Sequence, residues 1–399
     1  MSYKIVNKLG IDIFVWGDVD DNAIQQMATC SVSSAAKHTA IMADGHLGFS
    51  QAIGGVVAYK GLISVSGCGY DIACGNMAVR LKIKADFVRK NIKEIMDKIF
   101  SEFSFGKGGT NSKRIEHALF DNPMWKEDPC KSVKQIAQDQ LGSIGSGNHY
   151  CDIFIDENDD VWAGVHFGSR KFGHVVASHF LNAAGAKDDI FAPPCLLKED
   201  SDLGEQYIRC MNLAGEYAYV GREWVCEAIA GIMHTTILEE VHNHHNFAFK
   251  ENFDGEDLWV IRKGSTPLHP GQKSFIGGSM GDISVICQGT DNDESLASLH
   301  SAPHGAGRVM GRMEAKGKKK ICKDPNSPDF GKERIIREPK ITKEMMESWL
   351  KEKGVYVCGG GVDESPHAYR RLPEVLKCHE DYIKILHTLT PIGVAMAED

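Results

Sequence analysis

The hydrophobic positions of the chain change period several times, and each change marks an element. Across residues 86–103, apolar side chains at Phe87, Ile92, Ile95, Met96, Ile99 and Phe103 recur at helical spacing, which predicts an amphipathic scaffold helix. Alternation over 77–83 predicts a half-buried strand instead. Residues 150–155 and 161–165 read as strands, and the polar turn 156–160 makes them a hairpin. Further strands are expected at 55–59, 62–66, 258–262 and 283–288. Further helices are expected at 22–38, 202–240, 342–353 and 373–389. The stretches 105–128 and 263–281 are rich in small and polar residues and read as loops. No repeat or break in composition divides the 399 residues, so one continuous domain is expected.

Composition narrows the class. Charged residues make up 25% and hydrophobic ones 42%, as in a soluble globular protein. A net charge of −9 gives no global basic field to advertise nucleic acid, although a local basic groove remains open. The basic run 316–320 reads as a solvated loop more readily than as a binding site. Twelve cysteines occur without a CxxC pair, the first residues lack a signal-peptide pattern, and no apolar run is long enough to span a bilayer. Free thiols in a reducing cytoplasm are the economical expectation.

The candidate chemistry centres on Gly69-Tyr70-Asp71-Ile72-Ala73-Cys74-Gly75. Glycine at both ends lets the backbone bring a carboxylate and a thiol to one point. A thiolate is a soft ligand and an aspartate a hard one, a mixture that suits divalent transition ions. Imidazoles in unusual settings answer it: His149 in Gly145-Ser146-Gly147-Asn148-His149, His166, the cluster His242/His244/His245, and His304. A lone histidine is usually structural, so the case rests on the set. Zn²⁺, Mn²⁺ and Fe²⁺ all suit such ligands. Asn148 and Asn246 adjoin candidate ligands and could orient a phosphate oxygen. The loop Gly277-Gly278-Ser279-Met280-Gly281 offers backbone N–H groups but lacks the Walker pattern. His304, followed by Gly305-Ala306-Gly307-Arg308, is free of bulky neighbours and could attack phosphorus, with Arg308 offsetting charge.

These motifs, with Asp44-Gly45-His46-Leu47-Gly48, His166-Phe167-Gly168-Ser169-Arg170, Arg262-Lys263-Gly264 and Asp363-Glu364-Ser365-Pro366-His367-Ala368-Tyr369, occur in one order along nearly the whole chain. In that order they resemble the RtcB family of GTP-dependent RNA ligases. The resemblance implies an α+β fold, a single domain over 1–399 with mixed β-sheets around a central metal site and helices outside. It implies two Mn²⁺ ions bridged by Cys74, one completed by Asp71 and His149, the other by His166 and His245. It further implies GTP phosphates held by Asn148 and Asn246. The nucleotide pocket would be formed by Asp152, Gly278, Ser279, Met280, Gly305, Ala306, Gly307 and Tyr369, with His304 as the guanylylated nucleophile. Family members join 3′-phosphate or 2′,3′-cyclic phosphate RNA ends to 5′-hydroxyl ends, and an archease-like activator is an expected partner. No membrane is implied.

Three departures matter. Asp152 stands where the family carries glutamate, Ala73 where it carries glycine, and Met396 near a lysine that contacts guanine. They point to a divergent repair or tRNA-splicing ligase with looser nucleotide choice. They also leave room for a metal-dependent phosphatase or nuclease, a 3′-phosphate capping enzyme, or an RNA-end sensor. Phosphate contacts to RNA are expected around Arg170, Lys171, Arg262 and Lys263.

Overall fold

The computed structural model describes residues 2–187, 189–321 and 330–398. Two sheets carry the architecture, so the fold is α+β as expected. The first has six strands, in the spatial order Tyr3–Lys8, Ile11–Trp16, Ala36–His46, Ile53–Tyr59, Glu256–Lys263 and Asn246–Phe253. The second runs Ile237–His244, Gly75–Leu81, Val161–Phe167, Tyr150–Ile155, Ile383–Met396, Ser284–Gly289 and Lys273–Ile276, with Tyr356–Cys358 added in parallel to Ile383–Met396.

The expected hairpin forms: Tyr150–Ile155 pairs antiparallel with Val161–Phe167. Both strands are buried along their full length, and so is most of Gly75–Leu81, so the anticipated half-burial of that strand is exceeded. Helices cover these strands. Ala85–Glu102 buries Val88, Ile95, Met96 and Ile99 against one sheet face. The helix Asp202–Ile232 packs its Val225, Cys226 and Ile229 into the same cluster. Each large apolar side chain removed from water there contributes about 1.5–3 kcal/mol.

Several boundaries differ from expectation. The helix expected at 22–38 stops at Cys30, and Ala36–His46 becomes a sheet strand. Its N-terminus is capped by Asp20, whose side chain accepts from Asn22 N at 2.8 Å. The segment 62–66 is a short strand followed by the helical turn Val65–Cys68. The long helix ends at Ile232, and Ile237–His244 pairs with Gly75–Leu81. The segment 373–389 splits into the short helix Leu372–Lys377 and the strand Ile383–Met396, because its alternating Ile, Leu and Thr residues find partner strands on both sides. The two regions read as loops contain short elements: 3₁₀ turns at Ala118–Asp121 and Pro123–Lys126, and strands Ser265–Pro267 and Lys273–Ile276. The described cysteines are free thiols, and no described helix is long and apolar enough to cross a membrane.

Candidate metal and nucleotide site

Strand ends deliver the donors to one point. His166 lies near the end of Val161–Phe167, opposite Asn76 and Tyr150, and His149 immediately precedes the neighbouring strand. The loop carrying Asp71 and Cys74 leads into Gly75–Leu81, and His245 sits between two strands. Two glycines make the approach possible. A side chain at Gly145 would overlap the His149 ring, and one at Gly168 would overlap the Asp71 carboxylate.

Two overlapping donor sets result: Asp71, Cys74 and His149, and Cys74, His166 and His245. Within each, the ligand atoms lie within 4.8 Å of one another, and Cys74 belongs to both. Its Sγ stands 3.2 Å from His166 Nε2 and 3.5 Å from His149 Nε2, while His149 Nε2 is 3.0 Å from Asp71 Oδ2. His245 donates Nδ1–H to Asn246 Oδ1 at 3.1 Å, which leaves its Nε2 a bare lone pair. That lone pair faces His166 Nε2 at 2.9 Å. Burial holds both imidazoles well below the usual histidine range, with the neighbouring histidines adding to it, so both are neutral. Burial and then the Asp71 charge push the Cys74 thiol well above its ordinary value. Converging lone pairs of nitrogen, sulfur and carboxylate form an arrangement that a borderline divalent cation relieves, and a coordinated thiol is deprotonated outright. The residues present therefore fit a pair of transition-metal ions.

The histidine run beside the site divides. His245 joins the donors, but His242 and His244 turn to the fully buried Arg222. Arg222 Nε donates to His242 Nε2 at 2.8 Å, and Nη2 lies 2.9 Å from His244 Nδ1. Its Nη1 holds the carbonyls of Ala73 (3.0 Å) and Phe167 (2.5 Å), in the two segments that bear Cys74 and His166. Nothing in the sequence singled out Arg222, since its role arises only from adjacency in space.

A cavity of about 980 Å³ opens next to the donors, lined among others by His166, Asn148 and His304. His304 donates Nδ1–H to Asp44 Oδ2 at 2.7 Å, and the same oxygen accepts its backbone N–H at 3.1 Å. Asp44 is fully buried, and its hold on Nδ1 orients the ring with Nε2 turned away from that carboxylate. Its motif was visible in the sequence; its pairing with His304, 260 residues away, was not. Asn76 Nδ2 holds the His304 carbonyl at 3.3 Å.

Of the residues expected around a nucleotide, Asn148, Asp152, Gly278, Ser279, Met280, Gly305, Ala306, Gly307 and Tyr369 line this cavity, and Met396 joins them. Asn246 does not. Its Oδ1 accepts from Gly264 N at 2.7 Å as well as from His245, and its Nδ2 reaches the Asp71 carbonyl at 3.3 Å. Ser279 Oγ, Asp152 Oδ1 and Tyr150 Oη are buried without protein partners, as a site for a polar ligand requires. Burial raises the Asp152 carboxyl well above the usual carboxylate range, against the opposing backbone hydrogen bond of Ala395. Tyr369 donates to Glu364 and accepts from Arg308 Nη1 (2.9 Å), so the Arg308 charge is already shared with that carboxylate.

The expected RNA contacts are corrected. Arg262 is fully buried on Glu251, Ser301 and the Leu299 carbonyl. Lys263 is buried on the carbonyls of Phe49 and Ser66, and burial lowers its pKa to about 8. Arg170 is spent on Ser143 Oγ and the Gly106 carbonyl, which leaves Lys171 as the exposed member of the four.

The family model described as tRNA-splicing ligase RtcB matches residues 25–130 and 124–397. The RNA-splicing ligase RtcB of Escherichia coli K12 is 28% identical over 98% of this chain and 99% of its own length. The tRNA-splicing ligase RtcB of Thermococcus kodakarensis is 27% identical over 94% of this chain and 91% of its own. That of Pyrobaculum aerophilum is 31% identical over 69% of this chain and 73% of its own. The chain belongs to the RtcB family.

Proposed function

We propose that the protein is an RNA ligase that joins a 3′-phosphate or 2′,3′-cyclic phosphate RNA end to a 5′-hydroxyl end, with GTP as the activating nucleotide, in RNA repair or tRNA splicing in the cytoplasm. The observation that carries this is a shared thiol between two donor sets, with His304, held by Asp44, lining a nucleotide-sized cavity beside them. Asp71, Cys74 and His149 would hold one Mn²⁺, and Cys74, His166 and His245 the other. Bound there, the ions would offset negative charge on phosphate oxygens.

The protein's own groups account for the rest. The His304 Nε2 lone pair attacks the α-phosphorus of GTP; an N–P bond forms and the bond to pyrophosphate breaks. The imidazole becomes cationic, and Asp44 stabilises it through the 2.7 Å hydrogen bond. An oxygen of the RNA 3′-phosphate then displaces His304, giving a 3′-to-5′ diphosphate bridge to guanosine. The 5′-hydroxyl attacks the RNA phosphorus, loses its proton to solvent and expels GMP. A cyclic end is first opened by water to the 3′-phosphate. Asn148 and the backbone of Gly305 to Gly307 would bind the nucleotide phosphates, while Asp152, Ser279, Met280 and Tyr369 would surround the nucleoside. Met396, buried in the cavity wall, supplies no charge to a base, which favours looser nucleotide selection than a lysine would impose. An archease-like protein is the activator this reading calls for.

The test mixes purified, Mn²⁺-loaded protein with GTP and two labelled RNAs, one ending in 3′-phosphate and one starting with 5′-hydroxyl. Joined product supports the ligase. Loss of the terminal phosphate without joining identifies a hydrolase, and accumulation of nucleotide-capped 3′ ends identifies a capping enzyme.

A further inference from the structure

Between 316 and 343, outside the metal and nucleotide site, the chain carries ten Lys and Arg against four Asp and Glu, within a protein of net charge −9. The described part of this stretch is a two-stranded antiparallel hairpin, Lys318–Ile321 paired with Glu333–Arg337. Its register sets Lys320 opposite Arg334 and, across an irregularity that leaves Ile336 as the extra residue, Lys318 opposite Arg337. Directly opposed residues share a face, so four cations form a ladder of two like-charge pairs, all exposed. Lys318 and Lys320, two apart on one strand, stand about 7 Å apart, near the separation of phosphates along an extended nucleic-acid strand.

The ladder is fixed to the cavity wall. Arg312 and Glu314 line the cavity, Lys340 N donates to the Glu314 carbonyl at 3.2 Å, and Ile341 N donates to the Ala315 carbonyl at 3.1 Å. The Lys340 ammonium also meets Glu314 Oε1 at 2.5 Å. The same cavity is also lined by Asp18, Asp20 and Asp21, all exposed. A polyanion is therefore attracted by the hairpin and repelled by these carboxylates.

We infer that the 318–321/333–337 hairpin is the docking arm for the RNA strand whose 3′-phosphate enters the cavity, its backbone phosphates lying along Lys318, Lys320, Arg334 and Arg337. This rests on the ligase reading above and supplies the RNA surface that the buried Arg262 and Lys263 do not.

The test measures binding of a single-stranded 3′-phosphate RNA at several salt concentrations, for the wild type, for Lys318→Ala/Lys320→Ala, and for Lys90→Ala/Lys98→Ala on a distant helix. The hairpin variant is expected to bind about 10-fold or more weakly at low salt. Its log–log salt slope should flatten by about 0.7 for each phosphate that the variant no longer neutralises. Its RNA KM for joining should rise more than its kcat falls, and the distant variant should match the wild type. Affinity and slope equal to wild type in the hairpin variant would overturn the proposal, as would an equal loss in the distant variant. Wild-type nucleotide adduct formation, which needs no RNA, reports separately on the ligase reading. Its absence alongside hairpin-dependent RNA binding sinks that reading and keeps the arm.

Discussion

His242 and His244 face Arg222; His166 and His245 face Cys74. All four imidazoles are buried or nearly so, and burial holds each well below the usual histidine range. Their partners separate them. Around Arg222, imidazole lone pairs accept from a guanidinium that is present in the chain, so the group is complete. Around Cys74, imidazole nitrogens meet one another and a thiol with no donor side chain such as Arg222 between them, an arrangement suited to a cation. Burial and histidine content thus do not mark a site; unmatched acceptors do.

Substitutions on either side of this contrast should separate the two groups. His245→Ala should cut RNA joining more than about 100-fold and lower bound metal by one ion per chain, leaving the denaturation midpoint of the metal-free protein nearly unchanged. Metal analysis and chemical denaturation check both parts. Arg222→Met should do the reverse in order of cause, destabilising the metal-free protein by about 3–5 kcal/mol because buried acceptors lose their donor. Equal stability of the two variants would erase the distinction.

Asp44→Asn tests the carboxylate that orients His304. An amide cannot stabilise the cationic ring as a carboxylate does, so the rate of nucleotide transfer should fall by about 10²-fold or more with little change in nucleotide KM. Single-turnover adduct formation measures this.

Smaller effects come from the neutral histidines behind Asp44. Burial, first among the causes, lowers His379 to about 3 and His46 to about 4. His379 Nε2 accepts from Ala43 N at 3.1 Å, and His46 Nδ1 donates to the Asp44 carbonyl at 2.9 Å. Both are neutral in the fold over a range where an unfolded histidine, with a pKa of about 6.5, is protonated. The unfolded chain therefore binds more protons, and stability is full above about pH 6.5 and falls as pH drops towards 4. Each group contributes up to about 1.4 kcal/mol per pH unit in that window. Denaturation midpoints at pH 7 and pH 5 should show the loss.

The smallest effect concerns Ala73, whose φ of 61° is left-handed. A side chain there costs about 1–2 kcal/mol, and glycine returns about 0.4–1 kcal/mol to the unfolded state. Ala73→Gly should thus stabilise by roughly 0.5–1 kcal/mol, read as a rise in the denaturation midpoint.

The sequence was most legible where chemistry or period is local. The donors Asp71, Cys74, His149, His166 and His245 were recognisable by type and setting, and the structure brings them together. The hairpin at 150–167 and the helix near 86–103 follow their hydrophobic periods. What escaped depends on distant partners. The strand Ile383–Met396 looks helical until its neighbours on both sides are known. Arg222 and the Asp44–His304 pair join residues far apart in the chain, and no spacing rule reaches across such gaps. Arg262 and Lys263 looked like surface cations because their burial is decided by Glu251 and by two carbonyls from other segments.

Covalent labelling decides most directly whether His304 carries the nucleotide. Wild-type protein and His304→Ala are incubated with Mn²⁺ and each α-labelled nucleoside triphosphate, then resolved on a denaturing gel. An adduct with GTP that vanishes in the variant is expected, with any second nucleotide accepted tracing to the uncharged Met396 wall. An adduct that persists without His304, or none in metal-loaded wild type, would contradict the ligase chemistry.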